Sequence, residues 1–153
     1  MLTDPLAAVS YDEVEKLYEQ QQYDKIIDQV SLRNETDTRV LFLRATGAEK
    51  IGKPEIAILT YQIILKLEPD NFFAMRAAGI IFHDRDAERS VLYLENALLR
   101  FPEDALTHYY LAKVLTGQQK TDQAIAHYLV ASQDADLKAA ATIEIARIYA
   151  AQG

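Results

Sequence analysis

"YQIILKLEPDN", residues 61–71, reads as one helix being ended and another being opened. Tyr61, Ile64, Leu65 and Leu67 lie along one apolar stripe at helical spacing. Pro69, Asp70 and Asn71 then supply a stop and a fresh N-terminal cap. Nearly the same phrase returns as "LENALLRFPEDA" at residues 94–105. A phrase that recurs at a fixed interval signals stacked supersecondary units, so its period decides the fold.

Four sets of positions keep the same interval. Pro69, Pro102 and Asp136 are separated by 33 and 34 residues. Tyr61, Leu94 and Tyr128 repeat those steps, as do Ala57, Ser90 and Ala124, and Ala45, Ala78 and Ala112. The one-residue shortening falls in the link "DNFFAMR". Each unit reads as two helices. The first carries a small Ala near its middle. The second carries Ala or Ser near its start and a large Tyr or Leu one turn later. Small residues there let two helix axes approach, and the large residue fills the space beside them. A single pair cannot bury both apolar faces, so it stacks on the next.

Composition agrees with an all-α chain. Half of the 153 residues are apolar, while five Gly and four Pro are few for a loop-rich or β-rich protein. With no Cys, disulfides and cysteine-ligated metals are excluded. The net charge is −7 and is uneven, since residues 1–37 hold nine acids against three bases. An acidic chain argues against nucleic-acid binding and against anionic membrane surfaces. "MLTDPLAAVS" lacks the basic start and apolar run of a signal peptide. No apolar run is long enough to span a bilayer. Both a cytoplasmic protein and a domain excised from a longer one fit these features.

"RATGAEKIGKPEIAILTYQIILKLEP" and "YYLAKVLTGQQKTDQAIAHYLVA" carry the columns most clearly, and they resemble the tetratricopeptide repeat, a helix–turn–helix unit of about 34 residues. The middle stretch, "FHDRDAERSVLYLENALLRFP", is looser, with no turn glycine and with Ser90 in the usual Ala slot. The resemblance implies a right-handed α-α superhelix of about nine antiparallel helices. Its units span about 38–70, 71–104 and 105–138. A degenerate leading unit, 7–37, contains the capping box of Ser10 and Glu13 and the turn-like "QQQYDKII". A lone terminal helix closes the array at 139–153. The expected helices are 10–21, 23–33, 38–51, 54–67, 71–83, 87–100, 105–117, 121–133 and 137–151. Asp37, Pro54, Asp70, Asp86, Asp104, Thr121 and Asp136 are their expected starts.

Little in the sequence suggests catalysis. "FHDRDAE" offers His83, Asp84, Asp86 and Glu88 to a divalent metal. The same residues serve more simply as a helix end, an N-cap and a dipole partner. His108 and His127 stand alone on different helices. Phosphate loops and nucleophile elbows are absent, so neither an enzyme nor a cofactor is expected.

A surface is the alternative, because in tetratricopeptide arrays the first helix of each pair lines a concave groove. Carried over by offset from the small Ala, the groove takes Arg39, Phe42, Thr46 and Glu49 from one unit. It takes Phe72, Met75, Arg76, Phe82 and His83 from the next, then Leu106, Tyr109, Tyr110 and Lys113, and finally Ile143 and Arg147. The aromatic strip implies a peptide or helix partner with apolar anchors. The cations Arg39, Arg76, Lys113 and Arg147 imply acidic groups on that partner. The family's carboxylate clamp needs Lys and Asn, but Phe42 and Thr46 hold one set of its positions and Tyr11 and Glu15 the other. The resulting expectation is a protein–protein scaffold or adaptor, of which an assembly or secretion chaperone is one form. The second reading is self-assembly. The terminal helix carries Ile143, Ile145, Ile148 and Tyr149 with no further helix to cover them, and a two-fold homodimer would do so.

Overall fold

The computed structural model describes residues 9–153; residues 7 and 8 of the expected leading unit lie outside them. The described residues form nine α-helices and no strand. In order they are α1 (Tyr11–Glu19), α2 (Tyr23–Gln29), α3 (Thr38–Lys50), α4 (Pro54–Leu67), α5 (Phe72–Phe82), α6 (Ala87–Arg100), α7 (Ala105–Gly117), α8 (Thr121–Ala131) and α9 (Lys138–Gln152). The all-α class expected from the repeat columns is the observed one. None of these helices is long and apolar enough to cross a membrane.

The chain forms two compact units, Met1–Ala74 and Met75–Gly153. In the first, α3 packs on α1, α2 and α4. In the second, α6, α7, α8 and α9 pack in succession. Three of the four repeat columns lie in the cores of these units, while Pro69, Pro102 and Asp136 stay exposed at the links. Ala45, Ala57, Ala78, Ala112 and Ala124 are completely buried, together with Ser90, and Tyr61, Leu94 and Tyr128 are at most 1% exposed.

Side-chain size at one slot explains the residue at another. Where the large residue is Tyr, the first helix presents a polar side chain four residues after its small Ala. The Tyr61 hydroxyl donates to the Glu49 carboxylate, and the Tyr128 hydroxyl bonds Thr116. Where the large residue is Leu94, that slot holds the apolar Phe82. A buried hydroxyl needs a partner and a leucine does not.

The turns are local and repeated. Gly52 has φ 68°, and Gln21 and Gln119 take the same left-handed conformation at 58° and 61°. At each, the following amide donates five residues back, as Gln22 to Leu17 O, Lys53 to Ala48 O and Lys120 to Leu115 O. This Schellman pattern satisfies carbonyls that a helix end leaves unpaired. It also shows that "QQQYDKII" does turn as an interhelix link. The middle link has no such residue. Ser90, in place of alanine, instead donates its hydroxyl to Gly79 O at 2.8 Å, serving one of the last carbonyls of α5. Close approach makes this reachable, since a Cβ at Gly79 would sit 2.7 Å from Leu94 Cδ2.

Ser10 and Glu13 form the expected capping box, and Asp37, Asp86 and Asp104 cap α3, α6 and α7. Two starts differ, those of α5 and α9. Asn71 rather than Asp70 accepts from the Ala74 amide. α8 begins at Thr121 as expected, with Lys120 before it and no side-chain cap. Asp134 rather than Asp136 accepts the amides of Asp136 and Leu137 before α9. α2 stops at Gln29, short of the expected 33. Beyond it the Ser31 hydroxyl accepts from the Arg33 amide, and the Glu35 carboxylate accepts from the Thr36 and Asp37 amides. Such local bonds give the backbone an alternative to the helix.

Candidate interaction surface

The first unit contributes α1 and α3. Arg39 is exposed, pairs with Asp37 at 2.6 Å and lies 4.7 Å from the centroid of the Tyr11 ring. The Tyr11 hydroxyl donates to Glu15 at 2.7 Å. The clamp positions are therefore already engaged with each other and with Arg39. Phe42 is half-buried, with its ring edge-on to Tyr61 at 5.9 Å. Thr46 returns its hydroxyl to Phe42 O. Glu49 is occupied by Tyr61, so it faces its own hairpin partner and not an open groove.

The second unit holds a denser patch. Tyr109 and Tyr110 on α7 meet edge-to-face at 5.7 Å, and His83 approaches Tyr110 at 5.1 Å. Lys113 Nζ lies 5.5 Å from the Tyr110 centroid. Both tyrosines are half-buried and keep part of each ring in solvent. Tyr109 also packs edge-on to Tyr128 at 5.6 Å, and burial raises its phenol above the ordinary value, with Glu144 adding to the effect.

Several expected groove residues are placed elsewhere. Phe82 is 6% exposed and stacks on Tyr93 at 5.9 Å. Phe72 and Met75 are also buried. A ring in that state is core first and offers little edge to a partner. The cation ladder is largely neutralised within the chain. Arg39 pairs with Asp37, Arg76 with Asp104 at 3.0 Å, and Arg147 with Glu144 at 2.7 Å. Asp104 has a second task, accepting from the Thr107 amide as the cap of α7. Among the described residues Lys113 alone of the four cations has no carboxylate partner.

On α9 the four expected contact residues are divided. Ile143 and Tyr149 are 52% and 57% exposed, while Ile148 is 5% exposed and Ile145 packs against the same core. Ile148 therefore anchors the helix and does not offer a surface.

The metal reading of "FHDRDAE" finds no constellation. Asp86 caps α6, accepting from the Arg89 amide at 3.0 Å, and His83 Nδ1 donates to Ile80 O at 2.7 Å. No group of three potential ligands occurs among the described residues. The histidines expected to stand alone do not. His108 Nδ1 and His127 Nδ1 are 2.7 Å apart, and His108 Nε2 is 2.8 Å from Pro102 O. Burial, and then the charge of His108, hold His127 below the ordinary histidine value. The 19-residue separation carries no motif; only the hairpin's pairing of α7 with α8 brings them together.

Antiparallel helix pairs built on buried small-residue columns define a helical-repeat fold. Among solved structures, a crystal structure of MamA has this fold, with TM-score 0.84 and 19% identity over 95% of this chain and 87% of that one. A double mutant described as MamA RS-1 ArsTM matches at TM-score 0.72 and 14% identity, over 95% and 98%. No family model matches the chain, and no curated protein does. The tetratricopeptide resemblance thus rests on shared fold.

Proposed function

We propose that the chain is a non-catalytic scaffold that holds a peptide or helix of a protein partner on the exposed face of its first helices. The array reading divides it at about 7–37, 38–70, 71–104, 105–138 and 139–153. The observation that carries the proposal is the half-exposed cluster of Tyr109, Tyr110 and His83 beside the unneutralised Lys113. Rigid rings already held edge-to-face bind with little further loss of entropy. Lys113 favours an acidic group next to the partner's apolar anchor. Assembly and secretion chaperones are proteins of this kind, and an adaptor within a larger assembly uses the same surface.

Comparative capture tests it. A protein retained by the wild-type chain and lost by both Tyr110→Ala and Lys113→Ala, at unchanged Tm, supports the surface. Binding should weaken as salt rises. If Tyr110→Ala instead costs about 3–5 kcal/mol of stability, the ring belongs to the core.

Exposed Ile143 and Tyr149 favour a second reading, self-association through α9. Light scattering on wild type and Tyr149→Glu decides it, because a monomer in both removes the dimer. Substitution at Ile148 would test the core instead.

A further inference from the structure

The second unit has an opening that the tyrosine surface does not use. Between α6 and α8, over α7, lies a cavity of about 410 Å³, within the roughly 300–1,000 Å³ usual for ligand sites. Leu92, Leu98, Leu99 and Leu111 form its apolar walls. Leu92 and Leu99 are 58% and 78% exposed. They stand two turns apart on one stripe of α6, so the apolar strip is about 10 Å long. That spacing matches the i, i+7 anchors of a partner helix.

The polar groups of the cavity are Glu95, Asn96 and His127. The histidine pair sets the role of the last. Pro102 O can only accept, so His108 Nε2 carries the proton and donates to it. In the neutral ring His108 Nδ1 is then an acceptor, and His127 Nδ1–H donates to it. His127 Nε2 is left as a bare acceptor, with no partner among the described residues. Glu95 likewise has no ion pair or hydrogen bond among them. No Lys or Arg lines the cavity. A leucine strip beside two acceptors therefore fits an apolar segment that brings its own cation.

We propose that this notch binds a basic, leucine-rich helical segment of a protein partner, with its apolar side chains against the four leucines and a lysine or arginine on Glu95 and His127. The site is separate from the Tyr109 and Tyr110 surface and does not depend on it.

Two synthetic helical peptides test this by NMR titration of the full chain. Both carry leucines at i, i+3 and i+7; one has lysines between them and the other glutamates. The lysine peptide should shift amides of α6 and α8 and bind at least about tenfold more tightly than the glutamate peptide. Glu95→Lys, an exposed change that leaves the core intact, should reverse that order, and Leu99→Lys should abolish binding. Tyr110→Ala should leave the lysine peptide's affinity unchanged. Equal affinity for the two peptides, an order unaltered by Glu95→Lys, loss of binding in Tyr110→Ala, or no shift at about 1 mM peptide would overturn the proposal.

Discussion

The hairpins α3–α4 and α7–α8 are built on the same columns, yet their helices are joined by different polar chemistry. Three residues after the small residue of the second helix stand Thr60 in one and His127 in the other. Thr60, fully buried, accepts from the guanidinium of buried Arg44 and donates to Ile56 O. His127 meets His108. In α6 the same slot holds Tyr93, which stacks on Phe82. Steric requirements are therefore shared among the units, while the neighbouring slot is free to carry a charge, a titratable pair or an aromatic stack. Only the histidine version places an imidazole pair in the contact, where burial and then the charge of His108 hold His127 below its ordinary value.

The largest effects should fall on the shared columns. Tyr61→Ala and Tyr128→Ala each remove a buried ring and should cost about 3–5 kcal/mol in urea unfolding. Burial also pushes the Tyr128 phenol up to about 12, so its spectrophotometric titration should lag behind that of exposed tyrosines. If one of the two substitutions were silent, the units would not share a steric frame.

Close approach at the middle link comes next. Gly79→Ala places a methyl 2.7 Å from a Leu94 methyl and 3.2 Å from its amide nitrogen, and should cost about 1–3 kcal/mol. At Gly47 the three atoms nearest an added Cβ all belong to the Tyr23 side chain, the first at 3.1 Å, and none is backbone. Gly47→Ala should cost less, and the reverse order by thermal unfolding would contradict the tight α5–α6 contact.

The histidine pair should separate the hairpins by pH. His127 is lowered from 6.5 in the folded chain, first by burial and then by the charge of His108. The unfolded chain thus binds the proton more readily. This contribution is whole above about pH 6.5 and is lost as pH falls from there through the lower folded value. His127→Gln should flatten that part of the stability–pH curve, whereas Thr60→Val should leave its shape unaltered. The smallest effect belongs to the turns. Gln119 pays for a left-handed backbone that Gly52 adopts freely, so Gln119→Gly should raise stability by up to about 1 kcal/mol, read from the urea midpoint.

Much of the fold was legible because it depends on spacing and on local bonds. The 33- and 34-residue steps marked the buried columns, and aspartates before apolar runs marked the caps of α3, α6 and α7. The surface was less legible. Phe82 and Tyr109 both follow from the same offset rule, but one is stacked inside and the other is half in solvent. In α9 nearly every residue is apolar or small, so the pattern "AAATIEIARIYAA" does not distinguish the packed side at Ile148 from the open side at Ile143. The Arg44–Thr60 and His108–His127 bonds join residues 16 and 19 apart on different helices, where no sequence spacing is diagnostic.

By itself the sequence determined the period, the helical class and the small-against-large alternation, because each follows from steric needs that recur within a single helix pair. Tertiary structure alone decided which aromatics stay in solvent, which cations are already paired, and that two isolated histidines form one hydrogen-bonded unit. Those outcomes depend on what a neighbouring helix presents across the contact, and a side chain's own position in the chain does not record it.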